Sequence, residues 1–160
     1  MLSMLIRHAR VPDAHDICRL VNHYAEQGLM LHRSLESVYD CLREFFVCED
    51  GGKIIGCVAV DIYWSNSAEI RSLAIAPDYR GRGAGKALVR HCIEDSREIG
   101  LTQIFAMTYN KEFFASLGFE EVDIKTLPEK IWRECLEWYS KGYRHESAML
   151  YRLTEAADAE

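Results

Sequence analysis

The sequence predicts a mixed α/β fold, in which a central mixed sheet of about seven strands is flanked by helices. Its 160 residues suit one domain, and the 49% that are hydrophobic supply a core without disulfides or metals. Three early strands are joined by tight turns and are therefore antiparallel, whereas a later strand–helix–strand unit requires parallel pairing. We expect a single domain over residues 1–160, with a disordered acidic tail at 154–160.

The N-terminal half alternates between β-like and amphipathic segments. Ile17, Leu20, Val21 and Tyr24 recur at helical spacing, and Gly28 is typical of a helix end. Ser34 is a candidate N-cap for a second helix. The predicted elements are a strand at 4–8, helices over 12–28 and from 34, and strands at 45–48, 53–63 and 68–76.

The C-terminal half follows the same alternation. A glycine-rich stretch at 81–85 leads into an amphipathic helix that Gly100 closes. Thr126 as a cap and Pro128 at the first turn predict the start of another helix. After the helix that Gly100 closes, the predicted elements are strands at 103–108 and 119–124, a short helix at 112–117, a helix at 128–140 and a strand at 147–153.

The composition disfavours several classes of function. The net charge of −6 argues against a nucleic-acid partner, which requires a basic surface. No apolar run reaches the roughly 18 residues that indicate a transmembrane helix, and no signal-peptide pattern is present, so we expect no membrane partner. The six cysteines form no C-x-x-C pair and no cluster with zinc spacing. We therefore expect reduced thiols, no metal, a small-molecule substrate and a cytoplasmic location.

The strongest motif is the stretch AspTyrArgGlyArgGlyAlaGlyLys at 78–86, between an apolar strand and an amphipathic helix. Glycines leave backbone amides uncovered, and amides at a helix N-terminus bind anions. Because Arg80, Arg82 and Lys86 add positive charge, the stretch predicts a phosphate or pyrophosphate site. A Rossmann fingerprint is disfavoured by the antiparallel strands before it, and a P-loop by Ala87, which replaces the magnesium-binding hydroxyl. A plain glycine-rich turn is the other alternative.

This motif also carries a resemblance to a known family. Arg80, Gly83 and Gly85 fill the pattern R/Q-x-x-G-x-G/A, which resembles the acyl-CoA loop of the GNAT acetyltransferases. The segment PhePheAlaSerLeuGlyPhe at 113–119 is similar to a second motif of that superfamily. The resemblance implies the GNAT acyltransferase fold, acetyl-CoA as co-substrate and no metal. It implies that the cofactor-binding residues are Leu73, Ala74 and Ile75 on the strand, and Arg80, Gly81, Arg82, Gly83, Ala84, Gly85 and Lys86 in the loop.

A narrower resemblance is to short, kinase-less N-acetylglutamate synthases. The segments that carry it are 20–34, 68–77, 104–109 and 127–132. It implies an amino-acid N-acetyltransferase that moves an acetyl group to the α-amino group of L-glutamate, early in arginine biosynthesis. Catalysis would then depend on positioning and charge, since a thioester is already activated.

The same resemblance implies the catalytic residues. Glu69 resembles the general base of the family, which acts through a water. The alternative for Glu69 is a strand-edge carboxylate paired with Arg71. Many relatives carry a tyrosine beside the aromatic pair to protonate the leaving thiolate, whereas Phe114 stands there in this chain. Thr108 and Tyr109 are the substitutes: a tyrosine is the stronger acid, but Thr108 matches the hydroxyl residue of the longer synthases.

Glutamate presents two carboxylates, which arginine binds through a bidentate fork. Arg33 follows the first predicted helix, where this fold closes over the acceptor, and Arg71 and Ser72 lie on the strand that precedes the glycine-rich loop. The C-terminal segment, which also walls the acceptor pocket in this fold, contributes Lys130 and Arg144. These five residues are the predicted substrate-binding set.

Two other functions remain open. One is acetylation of a different amine: Arg33 and Arg71 disfavour a polyamine, whereas aminoglycosides and peptides stay candidates. The other is a non-catalytic acetyl-CoA sensor, against which the retained Glu69 argues, because a sensor needs no base. The exposed face of the 128–140 helix could form a homodimer interface.

Overall fold

A computed structural model describes residues 4–64, 66–141 and 146–153, except the side chains of Trp138 and Tyr139. The predicted substrate residue Arg144 and the predicted tail at 154–160 lie outside the described residues. The strands are β1 (Met4–His8), β2 (Phe45–Asp50), β3 (Lys53–Tyr63), β4 (Ser67–Ile75), β5 (Gln103–Thr108), β6 (Glu120–Val122) and β7 (Ser147–Arg152). The helices are α1 (Ala14–Ala25), α2 (Leu35–Asp40), α3 (Ala84–Glu98), α4 (Lys111–Ala115) and α5 (Glu129–Ser140).

The seven strands form one sheet in the order β1-β2-β3-β4-β5-β7-β6. Strand β2 pairs antiparallel with β1 and β3, and β7 pairs antiparallel with β5 and β6. The β2–β3 hairpin turns at Gly51 and Gly52, which both have positive φ. The predicted mixed sheet with flanking helices is confirmed. Among the described residues, no helix is both long and apolar enough to span a membrane.

The chain divides into two compact units, each with its own core. The first contains the residues up to Asp61 together with Ile70–Asp95. In it, α1 buries three of the four residues of the predicted stripe, Ile17, Val21 and Tyr24, against apolar residues of α2, β2, β3 and β4.

The second unit contains Ile62–Glu69 and the residues from Ser96 onward. Its core joins Phe105 of β5 and Leu150 of β7 to Ile131 of α5. The aromatic pair of the second predicted motif is also buried in part here, with Phe114 in edge-to-face contact with both Phe113 and Phe119. The apolar side of α5 therefore packs on the strands of its own unit.

A glycine in β3 sets how closely α3 approaches the first unit's strands. A Cβ atom on Gly56 would lie 2.7 Å from Ile75 Cδ1 and 3.1 Å from Leu88 Cδ1. Both distances are below ordinary van der Waals contact, so a larger residue at position 56 would displace the ends of these two side chains. Glycine here therefore lets side chains of β4 and α3 lie close to the backbone of β3.

Several predicted boundaries are wrong, and three of the differences have a local cause. The first helix is shorter than 12–28, because Val11–Asp13 form a 3₁₀ turn and α1 ends at Ala25, with Gly28 following in a positive-φ turn. The strand expected at 119–124 is confined to β6. Asp123 ends it, because its carboxylate accepts a hydrogen bond from Lys125 N at 2.9 Å and starts a 3₁₀ turn. Thr126 ends that turn instead of capping α5.

Candidate active site

Strand β4 is interrupted at Ser72, which has a φ of 54° although it is not glycine. A left-handed conformation costs an ordinary residue roughly 1–2 kcal/mol, so neighbouring contacts must hold it. Two such contacts are present: Arg33 Nε donates to Ser72 Oγ at 2.9 Å, and Cys57 Sγ donates to the Ser72 carbonyl at 3.5 Å. Burial raises the pKa of the Cys57 thiol to about 12, so the thiol keeps the proton that it donates. Hydrogen bonds from two other segments of the chain therefore support the left-handed conformation of Ser72.

Beyond Ser72, the strand presents backbone groups on the edge away from β3. Ala76 N donates to Ile55 O of β3 at 2.8 Å. Because successive residues of a strand alternate between its two edges, the N–H and C=O groups of Leu73 and Ile75 point to the opposite edge. There the Tyr24 hydroxyl of α1 donates to the Ile75 carbonyl. A carbonyl oxygen has a second lone pair, so Ile75 can still accept another hydrogen bond.

The predicted phosphate loop has the backbone that its glycines allow. Gly81 and Gly83 have φ values of 76° and 89°, and no atom lies within 4 Å of a Cβ built on either residue. Helix α3 begins at Ala84, and its bond from Ala87 N to Gly83 O measures 3.0 Å. The N–H groups of a helix's first turn have no partner within the helix and carry its positive dipole. This turn can therefore bind an anion.

The two arginines of the loop lie against different tyrosine rings. The Arg80 guanidinium lies 5.9 Å from the centre of the Tyr24 ring. The Arg82 guanidinium lies 5.2 Å from the centre of the Tyr79 ring, and Lys53 Nζ lies 5.6 Å from the same point. The sequence predicts Tyr24 only as part of the apolar stripe of the first helix, and it gives Tyr79 and Lys53 no role in the site. No local pattern marks these contacts, because they join distant segments.

Arg33 is fixed in position by its backbone as well as its side chain. Its N–H donates to Asn22 Oδ1 at 2.9 Å, and Asn22 Nδ2 donates to its carbonyl at 2.8 Å. Its guanidinium lies 5.2 Å from the centre of the Phe45 ring. The segment after α1 is therefore attached to α1 itself, and it brings this predicted substrate residue to Ser72.

Two carboxylates lie near the predicted substrate residues Arg33 and Arg71 in the first unit. Arg71 Nη1 lies 3.5 Å from Asp61 Oδ2, and both side chains are half-buried. The pKa of Glu44 is raised, first by burial and then by the charge of Asp61, while Arg33 and Arg71 act in the opposite direction. The arrangement thus combines two cations with two carboxylates, and the acids were missing from the sequence-based set.

In the second unit, the predicted base Glu69 lies on β4 with 8% of its surface exposed. The thiol of Cys135 on α5 has a pKa raised to about 11, mainly by burial and then by the charges of Glu146 and Glu69. Burial also raises the pKa of Glu146, just before β7. The structure thus brings α5 and the segment before β7 near Glu69. Glu146 was not predicted, since a lone glutamate before a strand gives no signal.

The other predicted residues of the second unit lie on three elements. Lys130 Nζ lies 5.4 Å from the centre of the Tyr63 ring. Thr108, at the end of β5, accepts a hydrogen bond from Asn110 N at 2.9 Å, and Asn110 caps α4. The Thr108 hydroxyl therefore keeps its own hydrogen to donate. Tyr109 follows it and is half-buried.

Comparison with known proteins places these features in a family. The model of the Acetyltransferase (GNAT) family matches residues 12–119. The chain is 38% identical to an uncharacterized N-acetyltransferase of Chlorobaculum tepidum, over 92% of this chain and 96% of the relative. It is 33% identical to the amino-acid acetyltransferase of Mycobacterium tuberculosis, over 86% of this chain and 80% of that protein.

Among solved structures, the fold is similar to N-acetylglutamate synthase from Neisseria gonorrhoeae complexed with coenzyme A and N-acetyl-glutamate. The TM-score is 0.87 at 30% identity, over 97% of this chain. The chain spans only 36% of that synthase. The glycine-rich loop before α3 and the aromatic motif around Phe114 lie within the segment that the family model matches. The chain belongs to the GNAT family of acetyltransferases.

Proposed function

We propose that this acetyltransferase moves the acetyl group of acetyl-CoA to the α-amino group of L-glutamate, as an amino-acid N-acetyltransferase of arginine biosynthesis. Two similarities support the proposal: the M. tuberculosis relative is an amino-acid acetyltransferase, and the N. gonorrhoeae synthase is complexed with coenzyme A and N-acetyl-glutamate. The first of these similarities extends over 86% of this chain and 80% of the relative.

The residues present fit coenzyme A. Backbone groups of Leu73 and Ile75 lie on the strand edge away from β3, where a pantetheine amide can pair with them. The loop from Gly81 to Ala84 has no side chain over its glycines and leads directly into α3. Its amides suit a pyrophosphate, and Arg80 adds a positive charge beside them.

The observation that carries the choice of acceptor is the position of Arg33. Its Nε is bonded to Ser72, while its two terminal nitrogens remain able to bind a carboxylate as a fork. An arginine held by Asn22, Phe45 and Ser72 loses little side-chain freedom when a ligand binds. We propose that Arg33 binds a carboxylate of the amino acid, together with Ser72, Arg71, Lys130 and Arg144.

The proposed chemistry is direct transfer to nitrogen. Glu69, through a water, accepts a proton from the α-ammonium group, and the neutral nitrogen then attacks the thioester carbon. The N–H of Leu73 stabilises the oxyanion of the tetrahedral intermediate. The C–S bond then breaks, and Thr108 or Tyr109 supplies the proton for the leaving thiolate. The second proton of the attacking nitrogen passes through water to that hydroxyl, which leaves a neutral amide. The products are the N-acetylated amino acid and free coenzyme A.

A second candidate is an amino acid with only one carboxylate. The ion pair between Arg71 and Asp61 favours it. Asp61 already offsets part of the positive charge of Arg71, which a second carboxylate of the substrate would need. Glu44, close enough to influence both arginines, adds to this compensation. Glutamine is the natural test, because it differs from glutamate mainly in that second charge.

A panel of amines separates these functions. Release of free thiol from acetyl-CoA is measured with L-glutamate, L-glutamine, other amino acids, a polyamine and a peptide. We expect the unaltered chain to show its highest kcat/KM with glutamate. Glu69→Gln should show almost no turnover of glutamate at pH 7. A preference for glutamine supports the second candidate, whereas turnover only with the polyamine or peptide rejects an amino-acid acceptor. Binding of acetyl-CoA without turnover of any amine indicates a sensor.

A further inference from the structure

The ring of Tyr79 brings together two cations from separate parts of the chain. Lys53 comes from the first residue of β3 and Arg82 from the glycine-rich loop, and both lie within 5.6 Å of the ring centre. In the described part of the chain, neither cation forms an ion pair, not even Lys53 with Asp50, its partner across the hairpin. The chain thus concentrates uncompensated positive charge here although its net charge is −6.

The position of this cluster relative to β4 decides which anion it suits. Ile55 of β3 pairs with Ala76, directly after β4, so Lys53, two residues earlier in an antiparallel strand, lies beyond the end of β4. Arg80, in contrast, lies over Tyr24, whose hydroxyl binds the carbonyl of Ile75 within β4. Positive charge therefore lies at two positions around the loop. Arg80 lies beside the last residues of β4, and Lys53 with Arg82 lies beyond the end of that strand.

Coenzyme A has two separate anionic groups. With pantetheine along β4 and the pyrophosphate on the amides before α3, the remaining group is the 3′-phosphate of the adenosine. A phosphate monoester carries roughly −1.5 to −2 charges at neutral pH, which two cations neutralise. We infer that Lys53 and Arg82, held on the Tyr79 ring, bind the 3′-phosphate of coenzyme A. The inference depends on the proposed use of acetyl-CoA.

Calorimetric titration with coenzyme A and with 3′-dephospho-coenzyme A tests this inference without any acetyl transfer. We expect the intact chain to bind coenzyme A about tenfold more tightly, as charge-assisted contacts to a phosphate allow. Lys53→Ala should reduce that ratio to about threefold by weakening coenzyme A binding alone, and Lys53→Arg should restore it. Tyr79→Leu, which removes the ring, should reduce the ratio in the same direction. Lys125→Ala removes an exposed lysine elsewhere and should leave the ratio unchanged.

The outcomes distinguish this inference from the function on which it rests. Equal affinity of the unaltered chain for both nucleotides overturns the 3′-phosphate subsite and leaves the proposed function intact. An equal loss for both nucleotides in Lys53→Ala also overturns it, because Lys53 would then act on the shared part of the molecule. Failure of both nucleotides to bind the unaltered chain overturns the use of acetyl-CoA, and the subsite with it.

Discussion

Arg33 donates its Nε–H to Ser72 Oγ at 2.9 Å, at the residue where β4 takes a left-handed backbone conformation. This side chain thus supports the left-handed conformation of Ser72, and we propose that its terminal nitrogens bind a carboxylate of the substrate. Lysine has no equivalent of this geometry, because its ammonium group is a point charge on a flexible chain. This relationship leads to separate predictions for binding and for stability.

Replacement of Arg33 by lysine tests the binding role. We expect Arg33→Lys to raise the KM for the amino acid about tenfold or more, since both the fork and the Ser72 bond are lost while the charge remains. The KM for acetyl-CoA should stay within twofold. Arg43→Lys, at an exposed arginine, is the matched control. Steady-state kinetics with each substrate varied in turn gives both constants, and an increase confined to acetyl-CoA would place Arg33 in the cofactor site.

Ser72 itself tests the backbone conformation. Both Ser72→Ala and Ser72→Gly lose the bond from Arg33, but only glycine adopts the φ of 54° without strain. We therefore expect the glycine variant to be more stable than the alanine variant by about 1 kcal/mol. Urea unfolding of the two variants measures the difference. Greater stability of the alanine variant would show that residue 72 lies in regular β-strand conformation.

The phosphate loop is tested by a pair of glycines with similar backbone angles. Gly83 and Gly100 have φ values of 89° and 93°, and a Cβ on either would meet no atom within 4 Å. Each alanine substitution should therefore cost about 1 kcal/mol of stability from the backbone alone. Only Gly83→Ala should also weaken coenzyme A binding, since it shifts the amides before α3. Equal affinity of the two variants, measured by calorimetry, would remove those amides from the cofactor site.

The sequence predicted this loop and the seven strands because their signals are local. Glycines and arginines lie side by side in the loop, and β-branched residues mark the strands. It could not predict the contacts that shape the site, such as Tyr24 with Ile75, since these depend on which distant segments meet. The φ of Ser72 was equally hidden, because serine in a strand-like segment carries no sign of a left-handed backbone.

The hydroxyl of Tyr24 should matter for the cofactor. Tyr24→Phe removes only the hydrogen bond to the Ile75 carbonyl, on the strand edge proposed to pair with pantetheine. We expect a several-fold rise in the KM for acetyl-CoA and a loss of about 1 kcal/mol of stability. Tyr39→Phe, at an exposed tyrosine, is the control. Burial raises the pKa of Tyr24 above its usual 10, so the contribution is fully present below pH 10 and is lost as the pH rises through the higher folded value. An unchanged KM would exclude this hydroxyl from cofactor positioning.

The Arg7–Asp13 ion pair gives a prediction about pH. Arg7 Nη1 lies 2.7 Å from Asp13 Oδ2, and hydrogen bonds from Arg7 and Arg10 N lower the pKa of Asp13 below its usual 3.8. A lowered pKa means that the stabilisation is present above pH 4 and is lost as the pH falls through the folded value. Asp13→Asn should cost about 2–3 kcal/mol at pH 7 and less at pH 3. A cost that is equal at both pH values would contradict the role of the charge.

The most direct test of the proposed function is the identity of the product. The purified chain is incubated with acetyl-CoA labelled with ¹³C in the acetyl group and with L-glutamate, and the products are analysed by mass spectrometry with fragmentation. Our account predicts glutamate that carries one labelled acetyl group on its α-nitrogen, formed together with an equal amount of free coenzyme A. It is contradicted if no labelled glutamate forms above the level of a reaction without the protein, while another amine of the panel is acetylated under the same conditions.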